Sequence, residues 1–158
     1  MNWAHIHLIL NHVPVLGSMF VVFLLMYGIV RKKSELLRLS YLVMILVGLV
    51  SVAVYFTGEP AEEMIEHLAG VEESYIEAHE DVASYGFILT EVLAVLGGIG
   101  IYAFDRRPRL SRFVLRAAII LSLLNMAVMA YVANLGGKIR HTEIRGPSSD
   151  VAPSENED

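Results

Sequence analysis

The stretch HIHLILNHVPVLGSMFVVFLLMYGIV, residues 5–30, decides the fold class, because it is almost entirely apolar over about 25 residues. An α-helix rises about 1.5 Å per residue, so roughly 20 residues cross the hydrocarbon core of a bilayer. The stretch is therefore long enough to form a membrane span. It also carries three histidines, and titratable side chains are costly in hydrocarbon, so their position needs a reason.

Three further apolar stretches follow along the chain, at residues 39–57, 82–104 and 113–135. Apolar residue types make up 55% of the 158 residues and charged types 18%, unlike the balance of an average soluble domain. Four such stretches predict an all-α fold, an integral membrane four-helix bundle over residues 1–145. Residues 146–158 are rich in Pro, Ser and acidic residues, and we expect them to form a disordered tail.

Charged residues are segregated among the connections between the spans. The first and third connections carry Arg31, Lys32, Lys33, Arg38, Arg106, Arg107, Arg109, Arg112 and Arg116. The second connection, 59–81, has nine acidic residues and no Lys or Arg. By the positive-inside rule, the first and third connections are expected in the cytoplasm and both termini on the outer side. We therefore predict a multi-pass protein of the bacterial cytoplasmic membrane, with both termini in the periplasm. The first helix lacks a basic start and a cleavage site, so we expect it to stay in the mature protein.

Breaks in the apolar pattern predict where the helices end. The predicted stops are residues 31–33, 57–60, 105–108 and 136–137. Between the second and third spans, apolar residues recur at three- and four-residue steps from position 61 to position 86. This periodicity predicts an amphipathic helix on the outer side, bent near Gly70, with its glutamates facing water.

The histidines are the most informative polar residues. The chain has six: His5, His7, His12, His67, His79 and His141. The predicted topology places all of them in the outer half. Helical rise puts His7 and His79 at a similar height, about 35 Å above the cytoplasmic edge, and His12 roughly 8 Å deeper. We interpret His5 as an interfacial residue and His67 as a solvated one.

Histidines on separate helices of a bundle suggest a haem site. Two imidazoles from different helices can take both axial positions of a haem iron, which leaves no open position and suits electron transfer. His12, inside the apolar run, and His79, on an apolar stripe, are the favoured axial pair. His141 and His7 are the next candidates. Lys138 and Arg140 are cations near the outer surface and are candidate partners for haem propionates.

Two other sets of residues leave alternatives open. Small residues serve either a porphyrin slot or plain helix packing: Gly17, Ser18, Gly48, Ser51, Gly86, Gly97 and Gly98. Glu91, near the middle of the third span, is a candidate proton relay or quinone contact, or a partner of Asn125 or Tyr131. We expect Asn125 to form a hydrogen bond between helices. A zinc or copper site is less favoured than haem, because His5 and His12 are two helical turns apart.

The pattern His7-x4-His12-x-Pro14 resembles the opening of an uncharacterised family of four-helix bacterial membrane proteins. The first helix of that family begins with a His-Pro-x-x-Val-His-Phe-Pro-like signature. The segments TGEPAEE (57–63), HE (79–80) and GGKIRH (136–141) resemble the same family. The resemblance implies a b-type haem membrane subunit that works beside respiratory components. Carried over residue by residue, it points to His7, His12, His79 and His141 as ligands of one or two haems.

The main hypothesis is therefore a b-type haem electron-transfer subunit, with haem held near the outer face. It would link the quinone pool to other membrane or periplasmic redox subunits, rather than act as an enzyme alone. The acidic outer side would suit a basic partner such as a c-type cytochrome. The alternatives are a cofactor-free structural subunit of a larger membrane complex and a metal or proton transporter. No nucleic-acid partner is expected.

Overall fold

The computed structural model describes residues 2–145, and this part of the chain is helical with no strand. The helices are α1 (Trp3–Leu10), α2 (His12–Val30), α3 (Ser34–Glu62), α4 (Glu73–Ala103) and α5 (Pro108–Arg140), followed by a 3₁₀ turn at Thr142–Ile144. Because α1 and α2 together make one span, there are four spans, each long and apolar enough to cross a membrane. The predicted all-α four-helix membrane bundle is confirmed. The predicted tail, 146–158, lies outside the described residues.

The four spans pack in a ring in chain order, and α5 closes the ring by packing on α2. Short connections join consecutive spans, which are therefore antiparallel. The α2–α3 and α4–α5 connections share one end of the bundle, called here the arginine end. Residue 3, the α3–α4 connection and the last turns of α5 share the other, called here the histidine end. Both ends are named for the residues concentrated there.

The first span is broken at Asn11, a feature that the apolar pattern does not reveal. Pro14 has no N–H, so the Leu10 carbonyl loses its helical partner, and the proline ring crowds the preceding turn. The Asn11 N–H still bonds to the His7 carbonyl at 2.8 Å, so the break is a kink rather than an unwound loop. Beyond the kink, α1 packs mainly on α3, whereas α2 packs on both α3 and α5.

Two of the four predicted helix stops are wrong. Helix α3 continues through Gly58 and Pro60 to Glu62, and α5 continues through both glycines at 136–137 to Arg140. A helical glycine costs only about 1 kcal/mol relative to alanine, so contacts with a neighbouring helix can override it. The other two stops are confirmed: α2 ends at Val30, before Lys32 with a φ of 52°, and α5 begins at Pro108.

The amphipathic stretch between the second and third spans takes a different form from the expected one. Its residues belong to the last turns of α3, to turns over 63–70 and to the first turns of α4. Gly70 has a φ of +80°, a conformation that glycine adopts without strain. With 31 residues, α4 is about 46 Å long, which exceeds a hydrocarbon core of about 30 Å. Glu59 and Glu62 lie in the last turns of α3, Glu63 and Glu66 in the turns that follow, and Glu73, Glu77 and Glu80 in the first turns of α4.

The arginine half of the bundle holds the close-packed apolar core. Its buried residues are Val21, Leu25, Tyr41, Met44, Leu93, Val114 and Ala118. Glycines let the helices approach: a Cβ built on Gly97 would lie 2.6 Å from the Tyr41 carbonyl oxygen, and one on Gly48 would lie 2.6 Å from the Ala94 Cβ. Similar contacts place Gly17 against Val47 and Gly86 against Met129. Of the two alternatives for these small residues, Gly17, Gly48, Gly86 and Gly97 thus serve helix packing, whereas nothing lies within 4 Å of a Cβ built on Gly98.

Candidate functional site

His7 lies on α1 and is held by α3. Its Nδ1 is 3.1 Å from the Thr57 Oγ1, and that hydroxyl donates its only proton to the Val54 carbonyl at 2.9 Å. Thr57 can therefore only accept from His7, so the imidazole must carry a proton on Nδ1. In the neutral ring, the lone pair is then on Nε2.

His79 on α4 is held in the same way by α5. Its Nδ1 is 3.1 Å from the Val132 carbonyl oxygen, which can only accept, so this ring also carries its proton on Nδ1. The imidazole lies against Gly136, where an added Cβ would be 3.2 Å from the His79 Cε1. Gly136 thus provides the flat surface on which the ring rests, and the Nε2 lone pair is again the unanchored one.

Both imidazoles lie at the histidine end, on diagonally opposite spans, and both are half-buried. Within residues 2–145, neither Nε2 has a hydrogen-bond partner. Histidines that ligate a metal usually donate the other ring N–H to a carbonyl or similar acceptor, which fixes the tautomer and the ring orientation. His7 and His79 both have this arrangement.

His12 is not brought to His79. It lies on the exposed side of α2, and its Nδ1 donates to the Leu8 carbonyl at 2.7 Å. Five residues separate His12 from His7, which is about 140° around a helix at 100° per residue. When His7 faces α3, His12 must therefore face outwards. His7, rather than His12, is therefore the histidine of the first span that faces the interior of the bundle, because helical phase, rather than depth, decides which ring faces inwards.

The remaining predicted site residues lie at the rim of the histidine end, further along α5 than Gly136. His141 is exposed, and its Nδ1 is 2.8 Å from the Glu143 Oε1. The Glu143 backbone N–H and the His141 side chain lower the pKa of the Glu143 carboxyl group. In the last turn of α5, Lys138 is half-buried and Arg140 is exposed. His5 and His67 are exposed as well, in agreement with their predicted surface positions.

Glu91 is not part of this site. Its carboxylate faces α3, where a Cβ on Gly48 would lie 3.5 Å from the Glu91 Oε2. The predicted pairing of Glu91 with Asn125 is wrong. The Asn125 Nδ2 donates to the Thr90 Oγ1 at 3.2 Å, and Thr90, the residue before Glu91 in α4, points about 100° away from Glu91 around the helix. The expected hydrogen bond of Asn125 to another helix is thereby confirmed.

His7 and His79 offer two imidazole donors, fewer than a lone metal ion needs from a protein. Among the described residues, no three His, Asp or Glu side chains converge as a zinc or copper site requires. A haem iron needs only two axial ligands from the protein, since the porphyrin supplies four nitrogens. Two imidazoles with exposed Nε2 lone pairs fit this requirement.

Sequence reasoning missed the residues that hold the two rings. Thr57, Gly58 and Gly136 were interpreted as helix stops, but Thr57 anchors His7 and Gly136 supports His79. A Cβ built on Gly58 would lie 3.9 Å from the His7 Cε1. A signal was present. Counted along their helices, these residues lie at nearly the same height as the two histidines.

A scan against protein-family models and searches of curated proteins and of solved structures found no match to this chain. The site is therefore interpreted from its own geometry.

Proposed function

We propose that this protein is a membrane-embedded b-type haem subunit that transfers electrons, with His7 and His79 as the axial ligands. One observation carries the proposal. Two half-buried imidazoles from opposite spans have their Nδ1 protons anchored, so both keep a free Nε2 lone pair, and helical rise puts them at a similar height. Haem held by two imidazoles supplies one-electron transfer without an open coordination position.

The chain's own residues have distinct tasks in this proposal. Thr57 and Val132 hold the rings and make Nε2 the donor atom, and hydrogen bonds of this kind also raise the basicity of the ligand. Gly136 lets the His79 ring lie directly against α5, and Gly58 lies beside the His7 ring. Lys138 and Arg140, near this end of α5, supply positive charge for propionate carboxylates. His12 and His141, both exposed, have no ligand role in this proposal.

The proposed location is the bacterial cytoplasmic membrane, with the histidine end towards the periplasm. The support is the concentration of Arg and Lys at the opposite end. Exposed carboxylates at the histidine end, such as Glu63, Glu66 and Glu80, would give a basic redox partner an attractive surface. Electrons would pass between that partner, or another membrane subunit, and the quinone pool.

An absorption spectrum of the purified protein, expressed with haem available, tests the proposal. We expect the reduced-minus-oxidised bands of a b-type haem and the low-spin electron paramagnetic resonance signal of two imidazole ligands. His7→Ala and His79→Ala should each abolish both signals. His12→Ala is the matched control on the same span and should keep them, because His12 faces outwards.

Two outcomes would contradict the proposal. A folded, colourless wild-type protein that takes up no added haem would favour the cofactor-free structural subunit. Full haem binding by folded His7→Ala and His79→Ala variants would leave a cytochrome but refute the ligand pair. Circular dichroism and gel filtration establish folding in each case.

A further inference from the structure

A polar cluster lies in the middle of the bundle, away from the histidines. Ser18 on α2, Thr90 on α4, and Ser122 and Asn125 on α5 are at most 4% exposed. They line a void of about 10 Å³ together with apolar side chains of α2, α3 and α4. Ser18 is 11 residues along the first span from His7, a rise of about 16 Å, so this void is separate from the histidine site.

The protein groups around Asn125 do not satisfy every hydrogen-bond donor and acceptor of its side chain. The Thr90 hydroxyl has one proton, and the Gly86 carbonyl, at 2.8 Å, is a closer acceptor than the Asn125 Oδ1, at 3.3 Å. The Asn125 Nδ2 donates to the Thr90 Oγ1 at 3.2 Å. If the Thr90 proton goes to Gly86, the Asn125 Oδ1 has no donor, and one Nδ2 proton has no acceptor.

Two serines face the same space. Within residues 2–145, the buried Ser122 Oγ has no hydrogen-bond partner, and Ser122 is 1% exposed. The Ser18 hydroxyl donates to the Val15 carbonyl at 2.7 Å, which leaves its oxygen free to accept. Unsatisfied polar groups are costly in a membrane interior, because no bulk water can reach them.

We infer that this void binds one water molecule, which joins α2 to α5 at the centre of the bundle. A buried water needs about 10–15 Å³ and two to four polar partners, and the void provides both. The water accepts from the Ser122 hydroxyl and donates to the Asn125 Oδ1 and the Ser18 Oγ. A metal cation does not suit the site, because no carboxylate lines it and Glu91 faces α3.

The test is water–protein NMR on the ¹⁵N-labelled full chain in lipid nanodiscs. We expect a cross-peak between a long-lived water and the side-chain amide protons of Asn125, with the sign that distinguishes bound water from chemical exchange. Ser122→Val replaces the hydroxyl with methyl groups that fill the void, so it should abolish the cross-peak. Ser40→Ala is the control and should leave the cross-peak unchanged, because Ser40 is equally buried but bonds to the Leu37 carbonyl at 2.7 Å.

The wild-type measurement decides the question even if Ser122→Val fails to fold. An assigned Asn125 side-chain amide without a water cross-peak would overturn the inference, as would a cross-peak that survives in folded Ser122→Val. The same spectra can be recorded with and without added haem. Failure of the haem proposal would therefore leave the water site testable, and the reverse is also true.

Discussion

The two halves of this bundle have the same helices but different contents between them. In the arginine half, Leu25, Tyr41 and Val114 are 1% exposed and fill the space between the spans. In the histidine half, buried apolar side chains such as Ile76, Met129 and Leu135 share the space with the half-buried rings of His7 and His79. The kink at Asn11 adds to the contrast, because α1 packs on α3 and is not packed closely on α5.

This difference indicates a division of roles along the membrane normal. Close packing of large apolar side chains gives stability, because each atom gained in contact contributes a small attraction. Anchored polar rings contribute less to stability, but they hold donor atoms in fixed positions. We therefore expect changes in the arginine half to affect unfolding most, and changes in the histidine half to affect the site first.

The largest effect is expected from Gly97→Ala in the arginine half. The new Cβ would lie 2.6 Å from the Tyr41 carbonyl oxygen, and backbone can move away only if α3 and α4 separate. We expect destabilisation of about 1–3 kcal/mol in detergent unfolding experiments. The neighbouring Gly98→Ala is the control: nothing lies within 4 Å of its Cβ position, so it should be neutral or slightly stabilising. Equal effects of the two variants would refute this account of the packing.

The next effect concerns Arg145, which ties the chain after α5 to the α3–α4 connection. Its side chain is 8% exposed and donates to the Gly70, Lys138 and Ile139 carbonyls and the Glu72 carboxylate. Arg145→Ala should destabilise the protein by about 1–3 kcal/mol, since several acceptors lose their donor together. Hydrogen exchange over 63–72 should speed up. Arg140→Ala, at an exposed position, should change little, and protection of 63–72 in Arg145→Ala would contradict the prediction.

Gly136→Ala should act on the site more than on stability. Its Cβ would lie 3.2 Å from the His79 Cε1, so the ring must shift by a few tenths of an ångström. We expect less than about 1 kcal/mol of destabilisation, partly offset by the better helix propensity of alanine. The ¹⁵N shifts of the His79 ring in the haem-free protein should change, as its bond to the Val132 carbonyl weakens. Gly137→Ala meets only the end of the Ile144 side chain, and unchanged His79 shifts are expected there.

The smallest effect is expected at the surface of the arginine end. Arg38 forms an ion pair with Asp105, and both side chains are largely exposed. Asp105→Asn should cost less than about 1 kcal/mol, because water and salt screen such pairs and Arg38 keeps its position 4.6 Å from the centre of the Phe104 ring. Unfolding at low and high salt measures this, and the difference from wild type should vanish at high salt. A larger loss of stability that does not depend on salt would mean that the arginine end is held by this ion pair as well as by close packing.

The four spans could be predicted from the sequence, because length and apolar content are summed over many residues and a few polar residues hardly change the sum. Sequence reasoning missed the kink at Asn11 and the continuation of α3 and α5 through their glycines. The kink and the continued helices both depend on whether contacts with a neighbouring helix compensate for a poor local helix propensity. Depth along a helix was also accessible from the sequence, and it predicts that His7 and His79 lie at a similar height. The side of each helix that faces inwards was not accessible from the sequence, because it depends on how the helices are rotated against one another.

The sequence alone therefore determined that this chain forms a four-helix membrane bundle with its histidines concentrated towards one end, because hydrophobic length and residue rise are properties of a single helix. Only the tertiary structure decided that His7 rather than His12 faces the interior of the bundle. It also decided that Thr57 and Val132 fix both tautomers and that Ser122 and Asn125 face a common void. These are relations between helices, and they depend on rotation and contact that no single span specifies.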